Sequence, residues 1–384
     1  MNDNKKVLLG LNVSVFMMMI GVGMVMPLLP DRVIAFTGSE VAVGYITMAF
    51  AVSYILLQVP MGMLADRLGF KTFIIIGYLC CALSGVLYYF ADSAAWIFIG
   101  RVAQGMGEAP LWALAPALLS LKFPASKGRV MGIYNATLHV GLTCGPLIGI
   151  IAARLSLNDM VFLFFSAVCI FSALLVYVSV DSEGKNISAQ NAIDFKNIAA
   201  LVSEPRILAT LAGITLYGVG YGIFITTIPV YFSGFRGYEQ TFVQVFFACF
   251  YIAISVSQVI TGPLSDRLGR EKFMICGILT AAVTMAAFPL LGMYGALSFL
   301  TVCSLGLGSF YLASLAFLNS AAPDELKGTI AGTYFLFWGA GYMFGPVCVG
   351  KLNEAVCMNA GFFTFAALLA IEVLALSRIT RTKP

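Results

Sequence analysis

Residues 101–116, RVAQGMGEAPLWALAP, place an arginine and a glutamate seven positions apart within a run that is otherwise almost wholly apolar. An ionisable side chain in hydrocarbon is costly, so it must face a bundle interior or a water-filled cavity. On a helix, Arg101, Gln104, Gly105 and Glu108 share one face. Burial favours the neutral acid at Glu108 and a nearby cation favours its charged form, and that competition is what a reversible proton carrier needs. Two readings of Glu108 stand: a proton-coupling or cation-binding carboxyl, or a protonated acid hydrogen-bonded for structure. The axial gap between Arg101 and Glu108 is roughly 10 Å at 1.5 Å per residue, too long for a close pair unless both side chains reach. A further partner is expected. His139, the only histidine, is one candidate: it can protonate near neutral pH, pair with Glu108, bind substrate, or be a packed residue.

Other residues join these two as candidates. Tyr134, Asn135 and His139 lie close along one helix, Tyr217, Tyr221 and Phe224 along another, and Tyr334, Trp338 and Tyr342 at i, i+4 and i+8 on a third. With Met17, Met18, Met19 and Met24 they can line an aromatic, adaptable pocket for organic molecules, or they can be helix packing. Asp31, after MPLLP, reads as a surface cap or a proton-access residue. Glu372, near the end of the last apolar run, reads as interfacial rather than central.

The elements that must position these residues are membrane helices. Of the 384 residues, 60% are hydrophobic and only 10% charged, and the mean hydropathy is +0.94. Those values lie outside the range of soluble globular domains. Apolar runs of roughly 20 residues, enough to span hydrocarbon, recur from end to end. They predict twelve spans, near 7–30, 41–65, 72–92, 94–122, 128–154, 158–180, 206–232, 240–262, 272–293, 295–318, 327–350 and 359–379. The first is too long for a signal-peptide core and is read as retained. On this map 17 of the 22 lysines and arginines fall at the termini and in alternate loops, which makes those cytoplasmic. The net charge of +4 is therefore topology and gives no reason to expect a nucleic-acid partner. Eight of nine cysteines fall inside spans and Cys357 has no local partner, so free thiols are expected.

The chain repeats itself at an offset of 200 residues. MGMLADRLGFKTFIIIGYL at 61–79 matches TGPLSDRLGREKFMICGIL at 261–279 at ten of nineteen positions. KGRVMGIYNATLHVGLTCGP at 127–146 falls on KGTIAGTYFLFWGAGYMFGP at 327–346. An even number of spans per copy gives parallel repeats. The expected organisation is a six-helix bundle at 1–180, a polar cytoplasmic linker at 181–205, and a second bundle at 206–384; two bundles so joined can rock.

These residues resemble the major facilitator superfamily, in particular its twelve-span drug:proton antiporter branch. Gly62-x-Leu64-Ala65-Asp66-Arg67-x-Gly69-x-Lys71 looks like that superfamily's loop signature, with a weaker copy from Gly262 to Lys272 that holds Asp266 and Arg267. Arg101-x-x-Gln104-Gly105-x-Gly107 resembles its fourth-helix motif, and Gly141-x-x-x-Gly145-Pro146-x-x-Gly149 its antiporter motif. Phe70 stands where the family pattern is usually basic, and Glu108 where it is usually small. The resemblance implies an all-α membrane protein of two pseudo-symmetric six-helix bundles. It further implies that Asp66 and Arg67 form a conformational latch, and that the Gly141, Gly145, Gly149 stripe with Pro146 makes a tight contact with the eighth helix.

The expected function is proton-coupled export of small organic molecules by alternating access, in the inner (plasma) membrane, with both termini cytoplasmic and the monomer as the working unit. Substrate and protons are the partners. A dedicated exporter of a metabolite or siderophore is the alternative, with an importer or a non-transporting sensor behind it. There is no G-x-x-x-x-G-K-[ST] loop for ATP and no nucleophile–base constellation. The chain reads as no enzyme and as needing no cofactor beyond the proton gradient.

Overall fold

The computed structural model describes residues 3–38, 40–157, 159–181 and 203–381. Most of the linker read at 181–205 lies outside them. The described residues are nearly all helix, joined by short turns, as hydrocarbon requires of any span that must satisfy its own backbone hydrogen bonds.

Twelve long rods follow one another: α1 (Asp3–Thr37), α2 (Glu40–Leu68), α3 (Phe70–Tyr89), α4 (Ala94–Lys122), α5 (Lys127–Arg154), α6 (Met160–Ser179), α7 (Pro205–Phe235), α8 (Gln240–Leu268), α9 (Arg270–Leu290), α10 (Met293–Ala321), α11 (Lys327–Ala355) and α12 (Ala360–Arg381). Among the described residues, nine of them are long and apolar enough to cross a membrane; α4, α5 and α11 are the other three. On α4 the reason is visible. Most of its length is buried against protein, Arg101, Gln104 and Glu108 included, so it needs little lipid-facing apolar surface. Elsewhere large apolar side chains such as Leu56, Leu174, Val178 and Val230 are exposed, which suits lipid as solvent.

Breaks in the rods have local causes. α1 tightens to a 3-10 turn at Met26–Leu28, where Pro27 falls. α7 contains two π-helical segments, Ile223–Thr227 and Tyr231–Phe235, on either side of Pro229. The α2–α3 and α8–α9 turns each pass through a glycine at positive φ, +92° at Gly69 and +96° at Gly269. A side chain there is strained, which explains why both repeats keep glycine.

The chain divides into two compact units. One comprises Met1–Pro124, Thr137–Ala192 and Pro323–Phe335, and the other Ala125–Ala136, Ile193–Ala322 and Leu336–Pro384. In the first, α4 packs on α2 and α3, and α6 on α1 and α3. In the second, α10 packs on α8 and α9, and α12 on α7 and α9. Adding six to each helix number turns one set into the other, so the sequence repeat is a structural repeat. Side-chain hydroxyls tie helices within a unit. Ser14 and Ser172 donate to each other's backbone carbonyls between α1 and α6, at 3.2 and 3.0 Å.

Candidate functional site

On α4, Arg101, Gln104, Glu108 and Trp112 follow at i, i+3, i+7 and i+11 on one face. Gln104 bridges the two charges that lie too far apart to pair directly. Its Oε1 accepts from Arg101 Nη1 at 3.0 Å, and its Nε2 donates to Glu108 Oε1 at 2.9 Å. Tyr88 on α3 donates to the same Gln104 oxygen at 2.8 Å. Glu108 Oε2 accepts from the Trp112 indole at 3.3 Å. Arg101 is held further by the Ile46 carbonyl at 3.3 Å, by Met26 Sδ at 3.1 Å and by the Phe50 ring, 4.4 Å from the guanidinium carbon. Arg101, Gln104 and Glu108 are all buried. Both Glu108 oxygens, both Gln104 amide atoms and the Nε and Nη1 of Arg101 are thus hydrogen-bonded, as a buried network requires.

The further partner expected for Arg101 and Glu108 is therefore Gln104, one turn from each. His139 on α5 reaches the cluster through the Trp112 ring, edge on at 6.1 Å, and is itself buried. Trp112 also meets Phe335, which in turn packs on Tyr334 at 5.1 Å. The backbone of Asp31 lies in α1, and its side chain is outside the described residues.

The remaining aromatic candidates gather in the second unit. Asn135 accepts a hydrogen bond from Tyr311 at 2.7 Å, and the Tyr311 ring lies 5.1 Å from Tyr217. Tyr217 packs on Tyr221, which touches Phe250, Trp338 and Tyr342. Trp338 and Tyr342 are stacked at 5.2 Å, and Phe224 stacks on Phe250 at 4.9 Å. Tyr134 is fully buried. Tyr311 and Phe250 were not singled out in the sequence, and each proves central to this cluster.

The two DRLG loops end on helix starts. Asp66 accepts from the backbone N–H groups of Gly328 and Thr329, at 2.6 and 2.7 Å, and from the Thr329 hydroxyl at 2.6 Å. These are the orphan donors at the start of α11, where a carboxylate is also favoured by the helix dipole. The approach needs glycine: a methyl on Gly328 lies 2.5 Å from the Gly62 carbonyl oxygen. In the second copy Asp266 accepts from Gly128 and Arg129 at the start of α5, at 3.0 and 3.1 Å, and pairs with Arg270 at 3.0 Å. Phe70, the equivalent of Arg270, is buried, and the Thr329 hydroxyl supplies the first copy's extra donor. Arg67 and Arg267 are exposed.

The sequence profile of the Major Facilitator Superfamily matches residues 11–346 and again 237–384. The chain belongs to that superfamily. Membership makes it a multi-pass membrane transporter rather than an enzyme. Multidrug resistance protein 2 of Bacillus subtilis is 24% identical over 398 residues, covering 100% of this chain and 97% of its own length. An uncharacterized MFS-type transporter of Methanocaldococcus jannaschii is 25% identical over 382 residues, covering 94% of each chain. Among solved structures, the Escherichia coli fucose:proton symporter FucP is similar with a TM-score of 0.81 and 16% identity, over 98% of each chain; at that identity the likeness concerns the fold.

In this member of the superfamily the glycine stripe of α5 is seated on α1. A methyl on Gly141 lies 2.7 Å from the Phe16 carbonyl oxygen, and one on Gly145 lies 2.6 Å from Gly23 Cα. Gly149 is in ordinary contact with Met24, and Pro146 lies beside Gly23. The resemblance suggested a seat on the eighth helix; the described contacts of Gly141 and Gly145 are with α1. On α11, Gly341 and Gly345 sit in the same way on Thr215 and Val219 of α7.

Glu372, read as interfacial from its place near the end of the last apolar run, has a side chain buried against protein, with 6% exposure. Two functional candidates escaped the sequence reading, Gln104 as a bridge and Trp112 as a donor. Their i+3 and i+4 spacing from Arg101 and Glu108 was the available signal. All nine cysteines are free. Among the described residues no group of three or more His, Cys, Asp or Glu is placed to hold a metal ion.

Proposed function

We propose that this transporter couples protons to the export of small organic molecules, as a drug:proton antiporter of the inner (plasma) membrane working by alternating access. The observation that carries the reading is the buried Arg101–Gln104–Glu108–Trp112 row. Two donors and a cation one link away act in favour of a charged Glu108, and burial acts in favour of the acid. A small change in hydration around such a group changes its proton occupancy. The full-length likeness to a multidrug resistance protein and the Gly-Pro motif of α5 support export as the direction.

The seat of Arg101 bears on the substrate. Ile46, Met26, Gln104 and Phe50 already engage the Nε, the Nη1 and one face of the guanidinium, and the aromatic cluster around Tyr221 suits an organic cation. This favours drug-like cations over an anionic siderophore. Asp66 and Asp266 act as latches between conformations, and the monomer is the transport unit.

The test is Glu108→Gln in proteoliposomes with an imposed pH gradient and tetraphenylphosphonium as probe. We expect gradient-driven transport to fall by about tenfold or more, equivalent to ~1.4 kcal/mol, with probe binding retained. Transport with unchanged pH dependence removes Glu108 as the proton carrier. Accumulation driven in the same direction as the proton flux overturns antiport.

A further inference from the structure

The buried face of α12 runs through Phe362, Phe365, Leu369, Glu372 and Leu376. Four of these five are apolar. The fifth carries a carboxyl whose Oε1 is buried and has no hydrogen-bond partner. It is pressed against α7 and α10: a methyl on Gly213 lies 3.0 Å from that oxygen and 2.6 Å from the Phe310 ring. An unpaired carboxylate in such a place is costly, so the group needs water or a partner whenever it is charged. A carboxyl kept for architecture is normally bonded, and this one is not.

A second, independent feature adjoins it. A small pocket lined by Arg206, Thr210, Glu271, Met274, Phe317 and Leu376, among others, has room for about one water molecule. Thr210 is one turn from Gly213 on α7, and Leu376 one turn from Glu372 on α12. The pocket therefore lies about one helical turn from the carboxyl, toward the end of the bundle where α7 begins and α12 ends. The charged groups facing it are Arg206 from α7 and Glu271 from α9. α10 presents Phe310 and Phe317 and has no charged residue along its length.

We propose that Glu372 is a second protonation site of this transporter, loaded and unloaded through the Arg206–Glu271 pocket. When water advances one turn from the pocket, the carboxyl O–H passes its proton to that water, and the carboxylate left behind is hydrated and drawn toward Arg206. When the helices close again the acid re-forms by the reverse transfer. The site belongs to the second unit and works apart from Glu108 in the first. Its use in transport rests on the proton-coupled reading above; its titration does not.

The experiment uses the full chain in proteoliposomes and dicyclohexylcarbodiimide, which reacts with protonated carboxyls in lipid, with labelling at Glu372 read by peptide mass spectrometry. Raising the pH from about 6 to about 9 in the compartment facing the start of α7 should cut labelling at least twofold, and raising it in the other compartment should not. Glu372→Gln provides the blank, and Glu372→Asp tests rescue if the glutamine variant folds poorly. In the same vesicles, Glu372→Gln should lower the protons moved per tetraphenylphosphonium by about one. Labelling insensitive to pH on both sides, or an unchanged proton ratio, overturns the proposal. If no variant, wild type included, moves the probe, the export reading fails by itself and the labelling alone decides for or against Glu372.

Discussion

At the residue scale the central feature is one amide with three partners. Gln104 Oε1 accepts from Arg101 and Tyr88 while Nε2 donates to Glu108. Replacing it by leucine takes away the partner of Tyr88 Oη and of Glu108 Oε1 in a buried site and leaves Arg101 Nη1 only Met26 Sδ, and each lost partner of this kind costs about 1–3 kcal/mol. Gln104→Leu is thus expected to lower the thermal midpoint in detergent. Its effect on transport should also be markedly non-additive with Glu108→Gln, because the two act through one network. Additive effects of the two changes argue that the row is not a unit. The presence of Arg101 and Glu108 on one face was legible from spacing alone. Their connection was not, since several side chains within reach, His139 among them, offered plausible partners.

At the element scale the two aspartate-to-helix contacts, proposed above as latches, are similar but not equal. Asp66 is buried and takes three hydrogen bonds from the start of α11; Asp266 takes two from α5 and shares itself with Arg270. Hydrogen bonds to a charged group contribute about 1.5–3 kcal/mol, more where water is excluded. Asp66→Asn is therefore expected to raise amide hydrogen exchange at the start of α11 more than Asp266→Asn raises it at the start of α5. Equal responses contradict the ranking. Just along from each latch, Gln58 on α2 and Gln258 on α8 are buried, and neither amide atom of either residue has a hydrogen-bond partner. Swapping such a group for an apolar one of similar shape is neutral or stabilising. Gln258→Met should hold or raise the thermal midpoint by the equivalent of about 1–3 kcal/mol, and a clear drop means that the amide is bonded.

At the scale of the whole molecule the lysine and arginine bias predicts cytoplasmic termini and an outward-facing α11–α12 loop, and cysteine labelling tests both. Cys357 is exposed in that loop. A variant retaining only that cysteine should react with a membrane-impermeant maleimide in intact cells. A cysteine at the exposed Asp324 position, one helix away in the α10–α11 connection that the same bias predicts on the opposite face, should react only after the cells are opened. The reverse pattern inverts the topology.

Twelve helices, a duplicated unit and the superfamily were written in local pattern, because hydrocarbon makes each span answer for its own length, polarity and backbone hydrogen bonds. A repeat at constant offset needs no packing to be seen, and the DRLG spacing sufficed to nominate Asp66 and Asp266. Which helix faces which was decided only in three dimensions. Periodicity marks Gly141 and Gly145 as a smooth stripe but does not say that α1 covers it. Hydropathy gives Glu372 a depth along α12, but only the packing of α7 and α10 against that face buries it beside Gly213 and Phe310. The physical reason is the same in each case: the solvent acts on every helix separately, whereas a partner is chosen by the shapes of two surfaces from distant parts of the chain.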